Sequence, residues 1–173
     1  MGATEGRGTM TLPWLPPLVL LENYNGNWTQ YIEVVYAHFK QDFVDSKPLF
    51  RGIRMGLKRL PIEQGKEATF WHMTSEGKVE ADRTPDLRRC ERIRWPKPIV
   101  ERVPCDDLRV WAEQRRRENR IAIAPSDFSY ILILAERQGR QSAYYIPWTA
   151  YYVQYDHDRR HYEAEWRKNR ING

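Results

Sequence analysis

The stretch DFSYILILAERQGRQSAYYIPWTAYYVQY, residues 127–155, decides the fold. Two runs rich in aromatic and branched apolar residues, 127–137 and 142–155, flank the turn residues 138–141 (Gln-Gly-Arg-Gln), which is typical of a β-hairpin. The preceding run NRIAIA, residues 119–124, has a similar composition and predicts a further strand. The sequence therefore predicts a mostly antiparallel sheet in the C-terminal half of the chain.

The last of these runs carries candidate functional side chains on one face. Strand alternation places Thr149 and Tyr151 together and puts Trp148 and Tyr152 on the other face, so the first two can face one substrate. The alternative is an aromatic strand packed on both faces, which we prefer for Trp148 and Tyr152. Pro147 has no N–H for the strand ladder and predicts an edge or bulge position, which opens space beside Thr149.

The region before the predicted sheet begins with an amphipathic helix. Asn27 is a suitable N-cap, with Gln30 placed for a capping-box-like start, and apolar residues follow at three- and four-residue steps. Two short extended segments come next, LFRGIRM (49–55) and EATFWHM (67–73), separated by turn-forming residues. We predict that both are strands, which places His72 at a strand end.

Three further helices complete the prediction. One begins at Thr84 and Pro85 and runs through residues 86–95, a shorter one covers residues 106–118, and a polar one covers residues 157–169. The elements together predict an α+β fold, with N-terminal helices packed on a mostly antiparallel sheet of four to five strands and a C-terminal helix. We expect residues 1–12 to be flexible and residues 13–173 to form a single domain.

Composition and motifs limit the possible classes of protein. The longest apolar run near the N-terminus, LPWLPPLVLL (12–21), is interrupted by three prolines and is shorter than the roughly 20 residues of a membrane span. With no export signal either, we expect a cytoplasmic protein with no membrane partner, in which Cys90 and Cys105 are free thiols. Cys-x-x-Cys and His-Glu-x-x-His motifs are missing, so we expect no metal or other cofactor.

The positive charge of the chain is concentrated in residues 83–120. This segment holds twelve Lys and Arg against seven Asp and Glu, a surplus of five that equals the net charge of the whole chain, +5. Eleven of the twelve are arginines, whose planar guanidinium suits phosphate and stacks on bases. Arg88, Arg89 and Arg92 fall on neighbouring turns of the predicted helix. The same charge pattern is equally consistent with a solvated, charged surface that binds no ligand.

The remaining chemistry suits cleavage of RNA without a metal. Gly-x-Gly-x-x-Gly, Walker and Gly-x-Ser-x-Gly motifs are missing from the sequence, which leaves histidine, arginine, tyrosine and threonine as candidate groups. RNA supplies its own nucleophile, the 2′-OH, so the protein needs a base, an acid and cations that stabilise the phosphorane. His72 could serve as base or acid. Alternatively, it closes a strand through a backbone hydrogen bond.

Five segments in this order resemble the phage-borne nucleases of the barnase–EndoU–colicin–RelE superfamily: FRGI (50–53), GKEATFWHM (65–73), DLRRCERIRW (86–95), FSYILILAER (128–137) and YYIPWTAYYV (144–153). The resemblance covers residues 49–155. It implies an N-terminal helical part packed on a curved four-stranded antiparallel sheet, and a toxin-like, metal-independent endoribonuclease that leaves 2′,3′-cyclic phosphate ends.

The resemblance also implies site residues. His72 matches the strand-end histidine of the family, Arg92 and Trp95 match its helix, and Thr149 and Tyr151 match its late Thr-Ala-Tyr strand. The predicted catalytic residues are therefore His72, Arg92, Thr149 and Tyr151, and the predicted substrate-binding residues are Arg88, Arg89, Trp95 and Lys97. Related toxins often carry arginine where this chain has Tyr151, so the stabilising charge would come from Arg92, Arg88 or Arg89.

Two other functions are open from the sequence. The basic helix and the aromatic residues could form a stacking platform in a non-catalytic nucleic-acid-binding phage accessory protein. Alternatively, the arginines could bind an acidic protein, such as an antitoxin, an immunity protein or a virion component. For the nuclease itself, the expected partner is RNA, either tRNA or mRNA.

Overall fold

The computed structural model describes residues 12–115 and 117–171. Within those residues it contains five α-helices and eight strands, which gives the predicted α+β class. The helices are α1 (Trp28–Phe39), α2 (Ala68–Thr74), α3 (Leu87–Glu91), α4 (Pro96–Arg102) and α5 (Asp156–Asn169). The strands are β1 (Leu49–Phe50), β2 (Ile53–Arg54), β3 (Ser75–Glu76), β4 (Thr84–Pro85), β5 (Leu108–Arg115), β6 (Glu118–Pro125), β7 (Tyr130–Gln138) and β8 (Ala143–Tyr152).

The last four strands form an antiparallel meander in the order β5-β6-β7-β8. The predicted hairpin joins β7 and β8, where Gly139 N–H donates to the Ser142 carbonyl at 3.0 Å. A Cβ at Gly139 would lie 2.7 Å from that same oxygen, so the turn needs glycine there. β8 is an edge strand of the meander. The other two sheets, β1-β2 and β3-β4, are hairpins of two residues per strand.

Both faces of the meander are covered, and this creates two apolar clusters. The larger one lies between the sheet and the helices before it and includes fully buried aromatic side chains such as Tyr31, Phe39 and Phe70. The smaller one lies on the other face, where Trp111 and Phe128 pack against Trp166 of α5. Because apolar burial is the main driving force of folding, α5 is held by this second cluster.

Helix α1 confirms the predicted amphipathic helix. Asn27 is its N-cap, and the Asn27 side chain accepts a hydrogen bond from Gln30 N–H at 3.1 Å. Tyr31, Ile32, Val35 and Phe39 are buried. A π-helical turn, Lys40–Asp45, continues the helix and buries Phe43.

The prediction of a strand at residues 67–73 is wrong, because the chain forms α2 there. Six of the seven residues of α2 are buried, and only Trp71 is half-buried. A helix buried on nearly all sides has no polar stripe, so its sequence cannot be distinguished from a buried strand by periodicity. His72 therefore lies in the last turn of a helix, followed directly by β3.

The prediction of a helix at residues 106–118 is also wrong. These residues contain the whole of β5, whose eight residues pair with β6 from Leu108↔Pro125 to Arg115↔Glu118. Leu108 and Val110 belong to the larger apolar cluster, whereas Trp111 belongs to the smaller one. Because both faces carry apolar residues between charged ones, the spacing imitated an amphipathic helix, and pairing with β6 decided the conformation.

The helix predicted from Thr84 to Trp95 is shorter in the structure, where α3 begins at Leu87 and ends at Glu91. Thr84 and Pro85 form β4, and Asp86 is the N-cap of α3, since its carboxylate accepts from Arg89 N–H at 3.0 Å. The predicted stop at Pro96 is instead the start of α4, in which that proline occupies the first turn. The expected flexibility of residues 1–12 falls, apart from Leu12, outside the described residues.

Candidate nucleic-acid interface

The centre of the candidate site is a bulge in the edge strand β8. Ile133 pairs with Thr149 and Leu134 pairs with Pro147, which leaves Trp148 as an extra residue. Pro147 has no N–H to donate, so the ladder is interrupted where the chain cannot complete it. The predicted edge or bulge position of Pro147 is confirmed. The bulge also turns Trp148 toward the face that carries Thr149, against the alternation expected from a regular strand.

Basic side chains surround the half-buried indole of Trp148. The Arg120 and Arg137 guanidinium carbons lie 5.0 and 5.3 Å from a ring centroid of Trp148, and Lys58 Nζ lies 6.0 Å away. The His72 ring meets the indole edge to face, with centroids 5.1 Å apart. We call these five residues the Trp148 cluster. Cations over an indole face are attracted by its quadrupole, and such a ring also offers a surface for base stacking.

The Glu118 carboxylate lies beside the Trp148 cluster. Glu118 accepts from Arg120 Nη2 at 2.7 Å and lies 3.8 Å from Arg137 Nη2. The hydrogen bond from Arg120 lowers the pKa of the Glu118 carboxyl, so Glu118 is ionised at neutral pH. Lys58, Arg120 and Arg137 still bring three cationic side chains to Trp148, and phosphate binding uses side chains of this kind.

A second group of side chains joins α2, α3 and β8. Arg89 Nη1 donates to the Ser75 carbonyl at 2.8 Å and to Thr149 Oγ1 at 3.2 Å. Thr149 Oγ1 in turn donates to the His72 carbonyl at 3.2 Å. The Arg89 guanidinium also lies 5.6 Å from the Tyr151 ring centroid. Four predicted site residues, from three elements far apart in the chain, therefore meet; we call His72, Arg89, Thr149 and Tyr151 the β8-edge group.

Tyr151 is a hydrogen-bond donor or acceptor rather than a base in this arrangement. The Tyr151 and Tyr162 hydroxyl oxygens lie 2.7 Å apart, which ties β8 to α5. Burial, assisted by the contact with Tyr162, raises the pKa of Tyr151 well above its usual value. The phenol therefore stays protonated at neutral pH. In this position it can donate to an oxygen atom but cannot supply a negative charge.

Arg92 and Trp95, which the sequence assigned to the same site, lie apart from the β8-edge group. The Arg92 guanidinium is stacked 4.1 Å from the Tyr152 ring centroid and 5.2 Å from that of Trp95. Tyr152 occupies the other face of β8 from Tyr151. Arg92 is 7% exposed, and burial lowers its pKa from the usual value. Trp95 is 6% exposed and donates to the Pro16 carbonyl, which anchors the N-terminal segment.

The two other predicted binding residues lie nearer the solvent. Arg88 is exposed and forms a 3.3 Å ion pair with Glu91 on the same helix. Lys97 is half-buried in α4, and together with Arg94 it opposes the effect of burial on the pKa of Asp42, which is raised. Among residues 12–115 and 117–171, neither side chain forms a hydrogen bond or an ion pair with the β8-edge group.

Sequence reasoning missed the importance of Lys58, Arg137 and Trp148. Trp148 looked like a packing residue because alternation placed it opposite Thr149, whereas the bulge reverses that placement. One signal was available, since Pro147 marked the interruption directly before it. Arg137 lies at the end of the first strand of the predicted hairpin, but its contact with Trp148 depends on the register and the bulge of the β7-β8 pairing.

Residues 12–115 and 117–171 contain no group of three or more His, Cys, Asp or Glu side chains placed to hold a metal ion. Over the same residues, no helix has the length and apolarity needed to cross a bilayer. Cys90 and Cys105 are free thiols, as expected.

Comparison of the chain with protein-family models, with curated proteins and with solved structures gave no match. The resemblance to the barnase–EndoU–colicin–RelE nucleases therefore stays a prediction from short motifs and their order. Any function must be argued from the side chains that the fold brings together.

Proposed function

We propose that this protein is a metal-independent endoribonuclease that works at the edge strand β8. The observation that carries the proposal is the hydrogen-bonded chain from Arg89 through Thr149 to the His72 main-chain carbonyl, with the His72 ring packed on Trp148 among the nearby cations. These residues offer the groups that RNA cleavage through the 2′-OH requires: an imidazole as acid or base, a guanidinium and neutral hydroxyl donors.

Within this proposal the charge-stabilising arginine is Arg89 rather than Arg92. Arg89 contacts Thr149 directly and lies over Tyr151, whereas Arg92 is enclosed between Tyr152 and Trp95. A phosphate that approaches Thr149 would meet Arg89 at hydrogen-bonding distance. Thr149 and protonated Tyr151 would add neutral donors to the non-bridging oxygens of the phosphorane.

Trp148 has a second role in the proposal, because it covers His72. His72 is 4% exposed, and the Trp148 indole packs edge to face against its imidazole. Proton exchange with a 2′-OH needs hydrogen-bond reach of about 2.6–3.2 Å, which substrate binding often establishes. We propose that stacking of a base draws the indole away from His72 and opens the imidazole to the ribose.

The remaining parts of the proposal rest on the family resemblance and on charge. They are a cytoplasmic, toxin-like enzyme encoded by a phage or mobile element, tRNA or mRNA as substrate, and inhibition by an acidic antitoxin or immunity protein. The surplus of five positive charges fits both an RNA substrate and an acidic inhibitor.

The test is incubation of the purified protein with total RNA in EDTA, followed by end-group analysis. We expect fragments that end in 2′,3′-cyclic phosphate, and we expect 2′-deoxy substrates to bind without being cut. His72→Asn should lower the cleavage rate by ~100- to 10,000-fold without loss of RNA binding. His157→Asn is the matched control, because His157 is an exposed histidine on α5. Cleavage that stops in EDTA and returns with magnesium contradicts the proposal, as does full activity of the His72→Asn variant.

A second candidate function is RNA binding without cleavage, and the burial of His72 favours it. In that case Trp148 would act as a stacking surface and Lys58, Arg120 and Arg137 as phosphate ligands. Trp148→Ala should then weaken binding of single-stranded RNA by about 1–3 kcal/mol, and no fragments should form under any condition. The combination of salt-sensitive binding and intact RNA would establish this function in place of the nuclease.

A further inference from the structure

A groove of about 290 Å³ lies beside the edge strand β8, on the N-terminal side of Trp148. Its polar lining includes Lys47, Arg54 and Arg59 from the region between α1 and α2, and Tyr144 from β8. We call it the Arg54 groove. The sequence analysis did not predict this groove, because it assigned the surplus positive charge to residues 83–120.

The Arg54 groove is positive without compensation. Residues 46–62 contain five Lys and Arg and no Asp or Glu. Lys47, Arg54 and Arg59 are exposed, and none of them forms an ion pair within the part of the chain that the structure describes. Most arginines near Trp148 and on α3 are paired with carboxylates, for example Arg88 with Glu91. The three groove cations therefore keep their full charge for a ligand.

Tyr144 forms an aromatic wall of the groove because Gly56 has no side chain. A Cβ at residue 56 would lie 2.8 Å from Tyr144 Cε2, well inside van der Waals contact. Gly56 N–H donates to the Tyr145 carbonyl at 3.0 Å, which fixes this segment along β8. The groove thus combines unpaired cations with a half-buried ring, the combination that single-stranded nucleic acid binds.

The Arg54 groove continues into the Trp148 cluster. Arg137 is the register partner of Tyr144, and its guanidinium lies over Trp148. Lys58 follows Leu57 of the groove lining, and its ammonium group lies 6.0 Å from the Trp148 ring centroid. Arg137 and Lys58 therefore connect the groove with the candidate site, and Glu118 lies on that path, 3.8 Å from Arg137 Nη2.

We propose that the Arg54 groove binds the backbone phosphates of a single RNA strand whose next nucleotides occupy the Trp148 cluster. This inference rests on the proposed function, because it assumes that RNA binds at Trp148. The groove extends the bound length of the strand and selects longer single-stranded substrates over short ones. Tyr144 stacks on one base, and the three cations contact successive phosphates.

The experiment measures binding of two uncleavable 2′-O-methyl oligonucleotides, of about 4 and about 16 nucleotides, which spans the site sizes of known single-strand-binding surfaces. The test variant is Lys47→Gln/Arg54→Gln/Arg59→Gln. The control variant is Lys78→Gln/Arg160→Gln/Lys168→Gln, which removes the same charge from exposed residues outside the groove. Affinities are compared between about 0.05 and about 0.2 M salt.

We expect the test variant to bind the long oligonucleotide more weakly, with a salt slope lower by about 2, since each phosphate contact contributes about 0.7. Over the fourfold salt range, the parent then loses about 20-fold more affinity than the variant. The test variant should bind the short oligonucleotide with the parent's affinity. The control variant should match the parent in affinity and salt slope for both oligonucleotides.

Two results would overturn the groove assignment while keeping the proposed function. One is an unchanged salt slope for the long oligonucleotide in the test variant, with binding that still depends on Trp148. The other is an equal loss in the test and control variants, which would show a general charge effect. Failure of the parent to bind either oligonucleotide would instead refute the proposed function together with the groove. Binding of the parent to anionic lipid vesicles in preference to RNA would assign the groove to a membrane surface.

Discussion

Replacement of Thr149 by valine tests whether one hydroxyl joins α2, α3 and β8. Valine keeps the shape of threonine but can neither donate to the His72 carbonyl nor accept from Arg89. A neutral hydrogen bond contributes about 1 kcal/mol net, and one to a charged group about 1.5–3 kcal/mol. Thr149 is half-exposed, so water replaces part of the loss. We therefore expect Thr149→Val to lower the free energy of unfolding by about 2 kcal/mol.

Urea and thermal unfolding measure this change. For a chain of this size, about 2 kcal/mol corresponds to a decrease in Tm of about 4–8 °C. Thr149→Ser keeps the hydroxyl and loses one methyl group, so it should cost less than about 0.8 kcal/mol. A double-mutant cycle with Arg89→Met isolates the Arg89–Thr149 interaction, for which we expect a coupling of about 1–3 kcal/mol. Unfolding of Thr149→Val within about 0.5 kcal/mol of the parent, or a coupling near zero, would refute the reasoning.

Three further predictions concern the cap of α1, the thiols and alkaline pH. Asn27→Ala should lower the free energy of unfolding by about 1 kcal/mol, whereas Asn27→Asp keeps the side-chain acceptor and should cost little; chemical denaturation measures both. Cys105 should react with iodoacetamide in the native protein and Cys90 should not, because Cys90 is buried and burial raises the pKa of its thiol to about 12. Equal labelling of the two thiols in the native protein would contradict this prediction. Burial and the hydrogen bond to Glu67 raise the pKa of Tyr36 from 10.0 to about 12. The stability linked to this shift is therefore present below pH 10 and is lost as the pH rises toward 12. Tyr36→Phe should reduce that loss in unfolding measured against pH, and an unchanged slope would show that Tyr36 does not contribute.

The candidate site could be predicted from the sequence only where local pattern and tertiary position agree. The order of aromatic and threonine residues in β8 was enough to select Thr149 and Tyr151, and both belong to the group that meets at the strand edge. Arg89 and Arg92 are three residues apart on the predicted helix and looked equivalent. The short α3 ends at Glu91 with Arg92 as its C-cap, so Arg89 reaches the edge of β8, whereas Arg92 turns into the core against Tyr152.

The class of the fold followed from the chain alone, because two kinds of local signal are strong here. The cap at Asn27 and the helical spacing after it specify α1, and the apolar, aromatic-rich runs on both sides of the turn at Gly139 specify the β7-β8 hairpin. Both signals act between residues close in sequence, so hydrogen bonding and side-chain periodicity are already visible in the order of the residues.

The conformation of α2 and β5 and the surroundings of Trp148 depend on burial by segments from several parts of the chain. α2 is enclosed on nearly every side and β5 packs apolar residues on both faces, so neither shows the one-sided pattern from which a helix or strand is recognised. The surroundings of Trp148 depend on a bulge and on cations contributed by residues 58, 120 and 137. Those contacts join positions far apart in the chain, and their energy arises only when the sheet has paired and the edge strand has been covered.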